Sequence, residues 1–286
     1  MPDSTTPDFL SIGVLTYDVT PEPGNPHGRI RPGGAAAFSA VCAQALGLKA
    51  AVIASAAADY PVEEILPGID VHIVESDFTT FFQNVYGQDS MRSQVLGARS
   101  SSITRSDIPE AWLETPIVFF GPLVREIPPN AQSWFPHASV GAAVQGWLRI
   151  WDDYGRVSEA SGPPAYIGSG YRLLAGSISE FHERDAQEMA RWGNSTEVLG
   201  VTDGAHGSRI YVDGVSSVIP VSDANELDPT GAGDIWAASC LIRLVETGDP
   251  VEAARFANAA ASISVEQEGL AGAPLRSEVE ARLARG

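Results

Sequence analysis

Cysteine is scarce in this chain. Its 286 residues hold only Cys42 and Cys240, far apart and each set among alanines and leucines. A disulfide framework is excluded on that spacing, and a reducing compartment is expected. Long apolar runs are missing too, and no stretch approaches the roughly 20 residues that a membrane helix needs. Met1 to Asp8 is polar and lacks the basic and apolar regions of a secretion signal, so a cytoplasmic protein is expected. His27, His72, His137, His182 and His206 have no metal-ligand spacing, which argues against a zinc site. Positive charge is in short supply, with 18 Lys+Arg against 36 Asp+Glu and a formal charge of −18. Such a surface repels nucleic acid and anionic membrane. It also obliges any polyanion site to find local compensation in backbone amides, a metal or a few arginines. Taken alone, the charge needs no reading beyond solubility.

What is present is 44% hydrophobic sequence spread along the whole length. That is enough for one large α/β domain with a small appendage, or for two modest domains, and a single domain over residues 1–286 is the expectation adopted. FLSIGVL (9–15) predicts a buried strand, the alanine-rich 34–46 a helix ending at Gly47, and AAVIAS (50–55) a second strand. Strand, helix and strand in that order predict a parallel layered sheet. Further strands are expected at 69–74, 117–120, 172–175 and 197–201, with a helix over 179–192 capped by Ser179. The Pro- and Gly-rich segment 21–34 reads as a loop. Residues 78–104 alternate polar and apolar around a turn at Gly87 to Ser90, predicting antiparallel strands that could cover a cleft. A hairpin at 208–212 and 215–220 turns at Asp213-Gly214. Asp249-Pro250-Val251-Glu252 is a helix-capping pattern. Trp147, Trp151 and Tyr154 are assigned to packing.

The densest chemical signal is Asp228-Pro229-Thr230-Gly231-Ala232-Gly233-Asp234. Apolar positions 235, 238, 242 and 245 follow at helical spacing, so a helix starts inside the glycines. Gly231 and Gly233 let backbone N–H groups approach a ligand closely. The helix start adds unpaired donors and partial positive charge suited to a phosphate. Asp234 is placed to accept a proton from an attacking hydroxyl. A bare GxGD would equally suit a plain turn with an acidic first-turn residue. The context decides between the two readings.

That context resembles the PfkB (ribokinase-like) family of carbohydrate kinases. DPTGAGD is similar to the family's C-terminal signature, and Pro32-Gly33-Gly34-Ala35-Ala36-Ala37-Phe38-Ser39-Ala40 to its N-terminal one. Thr202-Asp203-Gly204-Ala205-His206-Gly207-Ser208 resembles its nucleotide-side turn, and Ala257-Asn258-Ala259-Ala260-Ala261 its adenine-flanking helix. All four stand in family order. The resemblance implies a three-layer α/β/α domain with 78–104 as a β lid. It implies ATP-dependent phosphorylation of a hydroxyl on a small sugar, polyol or nucleoside, with Mg²⁺. By the same resemblance Asp234 is the base, and the Gly231, Ala232 and Gly233 amides form an anion hole. Asp18, Gly33 and Gly34 would hold substrate. Thr202, Gly204, Gly207, Asn258 and Asp228 would serve the nucleotide, and Glu180 the metal. His206 would stand in the nucleotide-side turn, near a phosphate or in solvent.

Three features depart from the pattern. Phe38 stands where many members carry asparagine, and Ser177-Ile178-Ser179-Glu180 stands for their Asn-x-x-Glu. No phosphate-binding cation is obvious, Arg92 and Arg172 being the candidates. GGAAAFSA, Thr79-Thr80-Phe81 and Ser177 lean toward the inositol-kinase-like branch. A lid with one apolar face would serve either a homodimer or the cleft. The rivals are a nucleoside kinase of the same fold and a catalytically idle ligand-binding homologue. A dinucleotide-dependent oxidoreductase is disfavoured, because no G-x-G-x-x-G follows the first strand and a polar loop from Thr16 to Gly33 is expected there.

Overall fold

The computed structural model of the protein describes residues 6–22, 25–86, 92–160, 162, 164–181 and 186–285. The expected turn at 87–90 and His182 lie outside the described residues.

The chain begins with β1 (Phe9–Val14), β2 (Thr16–Glu22), β3 (Asn25–Gly33), α1 (Ala35–Ala45), β4 (Ala50–Ala56), α2 (Val62–Ile65) and β5 (Asp70–Glu75). Then follow β6 (Thr80–Tyr86), β7 (Arg92–Ala98), β8 (Ile117–Gly121), β9 (Ser139–Ala143), α3 (Gln145–Leu148), β10 (Arg149–Trp151) and β11 (Val157–Glu159). Next come β12 (Tyr171–Ser177), α4 (Ile178–Phe181), α5 (Ala186–Gly193), β13 (Thr196–Thr202), β14 (Ser208–Val212) and β15 (Val215–Ile219). The chain closes with α6 (Ala232–Thr247), α7 (Pro250–Ser264) and α8 (Arg276–Leu283).

Nine strands form one sheet in the order β15-β14-β13-β12-β9-β8-β1-β4-β5. It is parallel from β5 to β13 and antiparallel across β13, β14 and β15. Both faces are covered, as parallel sheets require. Phe9, Val52, Phe119, Leu173 and Val198 pack on the side of α1, α6 and α7; Leu10, Ile53, Phe120, Leu174 and Leu199 pack on the opposite side with Phe181 and Trp192. The three-layer expectation is therefore met, and the two cores alternate along each strand.

The segment read as a loop at 21–34 is instead most of a hairpin. β2 pairs antiparallel with β3 from Thr16↔Gly33 to Glu22↔Asn25, and β2 runs parallel to β6. With β7 they make a second sheet, β3-β2-β6-β7. The prolines misled because β3 is an edge strand, where a missing N–H costs no ladder bond. The register slips between Thr20 and Glu22, and Gly28 (φ 68) lies against Thr20 where a side chain would collide. Those residues mark an irregular edge strand. The polar loop expected from Thr16 to Gly33 is therefore absent, although no dinucleotide glycine pattern stands in its place.

The helix expected over 179–192 is seen as α4 and α5 on either side of 182–185, and Ser179 lies within α4 rather than capping it. Its hydroxyl pairs with that of Ser177 at 2.8 Å. The small hairpin β10–β11 was not anticipated. It leans on β7 through Leu96 N–H donating to Gly155 O at 2.7 Å and a bridge of Val95 with Arg156. Trp147 is buried as expected, with its indole N–H on Ile127 O. Tyr154 is 76% exposed at the tip of this hairpin, so the packing role expected of it is not observed.

Candidate active site

Chain order in the main sheet reverses at β1. β4 and β5 follow to one side; β8, β9, β12 and β13 follow to the other. Loops leaving the carboxyl ends of strands diverge at such a point and open a crevice. Here it is a cleft of about 730 Å³ lined by Thr16, Gly34, Gln145, Ser177, Thr202 and Asp234, among others. The second sheet and β10–β11 wall it with Asp18, Phe82, Gln94, Arg149 and Glu159. A smaller cavity of about 330 Å³ lies beside it.

Gly231 is the N-cap of α6, in a left-handed conformation (φ 79) that a side chain would strain. Ala232, Gly233 and Asp234 are the first three helical residues; the Ala232 N–H donates to Pro229 O at 3.2 Å, while those of Gly233 and Asp234 fall in the first turn, where a helix has no carbonyl of its own four residues back to receive them. Gly231 faces the larger cavity, Ala232 the smaller and Gly233 both. The first turn of α6 thus stands at the junction of the two spaces. Asp234 lines the larger one. Burial, then the negative charge of Glu180, push its carboxyl up to about 7, against the opposing pull of Arg149.

Glu180 is buried, and its carboxylate accepts from Gln145 Nε2 and from the Ser177 backbone N–H, both at 2.7 Å. Among the described residues no group of three or more His, Cys, Asp or Glu forms a metal cage. Arg149 is the cation that the sequence did not disclose. It donates to Gln94 Oε1 at 3.0 Å and its guanidinium lies 5.0 Å from the centre of the Phe82 ring. Arg172, a sequence candidate, is instead paired with Glu197 on the surface, and the side chain of Arg92 lies outside the described residues. Arg149 is the first residue of the three-residue strand β10, directly after the one-turn helix α3, and elements this short carry no pattern that announced it.

Thr202, Gly204, Gly207 and Asn258 all line the smaller cavity, together with Val221, Trp236 and Val265. His206, in the same turn, is exposed and stands 3.5 Å from Asp203. Asn258 has no polar group to spare. Its Oδ1 accepts from Trp236 Nε1 (2.7 Å) and Ser208 Oγ (2.9 Å), and its Nδ2 donates to Ile219 O and Pro220 O, both at 2.9 Å. That is its full capacity, so it builds the cavity floor. Asp228 lines neither cavity. Its carboxylate accepts from Thr230 N–H, Gly269 N–H and Arg31. Burial opposes its ionisation, yet the Thr230 and Gly269 bonds and the Arg31 charge together hold its carboxyl below the usual range. Gly33 sits under Asp18 and Thr16 at the end of β3 and does not line the cleft; Thr16 Oγ1 donates to Asp18 Oδ2 at 2.9 Å.

Residues 174–276, which run from within β12 through α6 and α7 to the first residue of α8, match the profile of the pfkB family carbohydrate kinases. Superposition with solved structures extends the likeness over nearly the whole chain. A pyrophosphate-dependent kinase in the ribokinase family, complexed with a pyrophosphate analogue and myo-inositol, aligns with TM-score 0.76 at 21% identity over 96% of this chain and 99% of that one. Ribokinase from Arabidopsis thaliana complexed with ribose and ATP gives TM-score 0.75 at 20% identity, covering 98% and 99%. The chain joins a pfkB-family signature to a ribokinase-family fold.

Curated pfkB-type relatives match in part. Ribokinase of Bacillus subtilis (strain 168) is 41% identical over 83 residues, 29% of this chain and 28% of that protein. The ATP-dependent ribose-1-phosphate kinase of Halopiger xanaduensis is 31% identical over 147 residues, 51% of this chain and 47% of that protein. The matches thus span less than half the length of these relatives. At 20–21% identity, the structural likeness is one of fold.

Proposed function

We propose that the chain transfers the γ-phosphate of ATP to a hydroxyl of a small, uncharged sugar or polyol. The observation that carries this reading is the junction at Gly233, where two cavities meet over the first turn of α6 with Asp234 beside it. An acceptor in the larger cleft and a nucleotide in the smaller would bring hydroxyl and phosphate together over those N–H donors. Asp234 takes the hydroxyl proton as the new O–P bond forms and the bond to the β-phosphate oxygen breaks, releasing ADP. The N–H groups of Gly233 and its neighbours stabilise the charge on the transferred group, and Arg149 supplies a positive charge beside them. Glu180 would hold a divalent ion such as Mg²⁺, which supplies neutralisation of the phosphate charge. A single buried carboxylate suits an ion that keeps most of its ligands from phosphate and water.

The smaller cavity favours a nucleotide over pyrophosphate. Val221, Ala224, Trp236, Ala261 and Val265 make an apolar slot suited to a flat heterocycle. Asp223 and Glu226 also line it and, among the described residues, no Lys or Arg does, so pyrophosphate alone would meet negative charge with only the α6 N–H groups at its edge to offset it. In the larger cleft Asp18, Glu159, Glu180 and Asp234 outnumber Arg149. That balance disfavours a phosphorylated acceptor and suits the hydroxyls of a neutral polyol. The second sheet would act as the cover of this cleft.

The test is ATP consumption by the purified chain with Mg²⁺ against ribose, fructose, myo-inositol and common nucleosides, with pyrophosphate as the alternative donor. Turnover with one neutral polyol and ATP, lost in Asp234→Asn while ATP still binds, is the expected result. Near-wild-type turnover in Asp234→Asn would sink the assignment of the base. Turnover with pyrophosphate but not ATP would overturn the reading of the donor cavity.

A further inference from the structure

Asp228 lines neither cavity, yet it ties three parts of the fold together. Its Oδ1 accepts from Thr230 N–H at 3.0 Å and its Oδ2 from Gly269 N–H at 3.1 Å. Oδ2 also accepts from Arg31 Nη1 at 2.8 Å. Thr230 leads directly into Gly231 and the donor turn. Gly269 follows α7, and Arg31 belongs to β3, the edge of the second sheet. On the α7 side the loop has further anchorage, because Leu227 N–H and Asp228 N–H both donate to Val265 O, at 2.7 and 3.1 Å. On the side of the second sheet, the ion pair to Arg31 holds it. Glu268 flanks that pair, 2.9 Å from Arg29 and 3.8 Å from Arg31. Arg31 in turn stands opposite Asp18 in the β2–β3 ladder.

We propose that Arg31 is a positioning residue that locks the acceptor-side hairpin to the loop carrying the anion donors, so that acceptor binding and donor-turn geometry are set together. The proposal rests on the kinase reading for its catalytic consequence, but not for the tie itself. The carboxylate of Asp228 is 8% exposed, and its guanidinium partner 30%. Removing the guanidinium leaves a nearly buried carboxylate held by Thr230 and the Gly269 N–H with no counter-charge, an arrangement that is strongly destabilising and that a movement of the attached chain would relieve. The chain that would shift here is Pro229 to Gly233. A lysine keeps the charge but not the planar donor fork, so it restores the tie in part.

Hydrogen–deuterium exchange of the 228–234 amides in wild type, Arg31→Ala and Arg31→Lys reads the tie without needing activity. Exchange there should rise at least threefold in Arg31→Ala and less in Arg31→Lys. Steady-state kinetics should show kcat down about tenfold and the acceptor KM raised, with ATP affinity changed less than threefold. Guanidinium ion at tens of millimolar should recover part of the Arg31→Ala loss, and sodium chloride at equal ionic strength should not. Unchanged exchange at 228–234, or equal recovery with sodium, would overturn the proposal. If Arg31→Ala does not fold, Arg31→Lys carries both arms, and unchanged exchange with unchanged kcat overturns it. A wild type silent toward every acceptor would sink the kinase reading, while the exchange arm would still decide the tie.

Discussion

Phe38 packs against Gly231, so close that a methyl group built on Gly231 would overlap the ring. One residue comes from the first turn of α1 and the other from the cap of α6, the two segments that carry the glycine signatures. The ring is 4% exposed and still forms part of the cleft wall. Asparagine, which the family resemblance leads one to expect at 38, would offer the acceptor a polar contact. Phenylalanine instead offers an apolar wall and a stop that fixes the path of the donor turn.

Gly231→Ala should therefore fail twice. A left-handed conformation costs a non-glycine residue about 1–2 kcal/mol. Forcing extra volume against Phe38 costs about 1–3 kcal/mol more. Chemical denaturation should show the sum, and turnover should fall more than a hundredfold. Adding Phe38→Ala removes the overlap but leaves the φ strain, so the double variant should not regain activity. Recovery in the double variant would mean that crowding alone was responsible.

The pH profile should report Asp234. A base must be ionised to work, so kcat/KM should rise with pH and level off above a midpoint near 7, the value to which burial and Glu180 push this carboxyl. Glu180→Gln removes the negative neighbour and should move the midpoint down. A midpoint near 4 in the wild type would contradict the environment described for Asp234.

Stability should carry the same signature with the opposite sense. A carboxyl whose folded pKa is raised favours the protonated native state, a contribution fully present below about pH 4 and lost as pH rises through about 7. Asp234→Asn is free of that loss. Its melting temperature should match the wild type near pH 4 and exceed it at pH 8, by the equivalent of about 1–4 kcal/mol. A variant less stable than wild type at pH 8 would show that Asp234 is a structural cap rather than a strained functional group.

Much of this arrangement was legible in the sequence. Buried parallel strands such as Phe9–Val14 and Ala50–Ala56 announce themselves as unbroken apolar runs, α6 through its apolar spacing and α7 through its Asp249 cap. The Asp213-Gly214 turn has the paired positive φ values, 49 and 77, that its residue types favour. The hairpin β2–β3 was hidden because edge strands tolerate the prolines and glycines that otherwise signal loops. Arg149 was hidden for another reason. Its importance comes from Phe82 and Gln94, residues brought to it from β6 and β7, and no local pattern records that meeting. Asp228 and Asn258 were found as motif positions, but the protein groups each one holds are visible only in the structure.

Asn258 tests that distinction. Asn258→Ala takes the acceptor from the indole N–H of Trp236 and the hydroxyl of Ser208 and a donor from the carbonyls of Ile219 and Pro220, at about 1–3 kcal/mol for each group left buried and unsatisfied. Thermal unfolding should show a large loss, with weakened ATP binding as a consequence. Asn258→Asp should be at least as harmful at neutral pH, because a carboxylate would then face two carbonyl oxygens. A stable Asn258→Ala that loses only ATP affinity would restore the direct ligand role.

Arg149 is the sharpest test of the site as a whole. It supplies the positive charge beside Asp234, and it is held there by its bond to Gln94 and by the face of Phe82. Arg149→Ala removes the charge, and kcat should fall by about a hundredfold, as losing a preorganised electrostatic contact typically costs. The same change removes the pull that opposes the raised Asp234 pKa, so the kcat/KM midpoint should move up rather than down. Arg149→Lys keeps the charge but loses the planar stacking and the fork geometry, so only part of kcat should return. The midpoint, which depends on charge more than on shape, should return more fully. If kcat and the midpoint instead recover in step, the placement of the guanidinium by Phe82 and Gln94 contributes nothing beyond its charge.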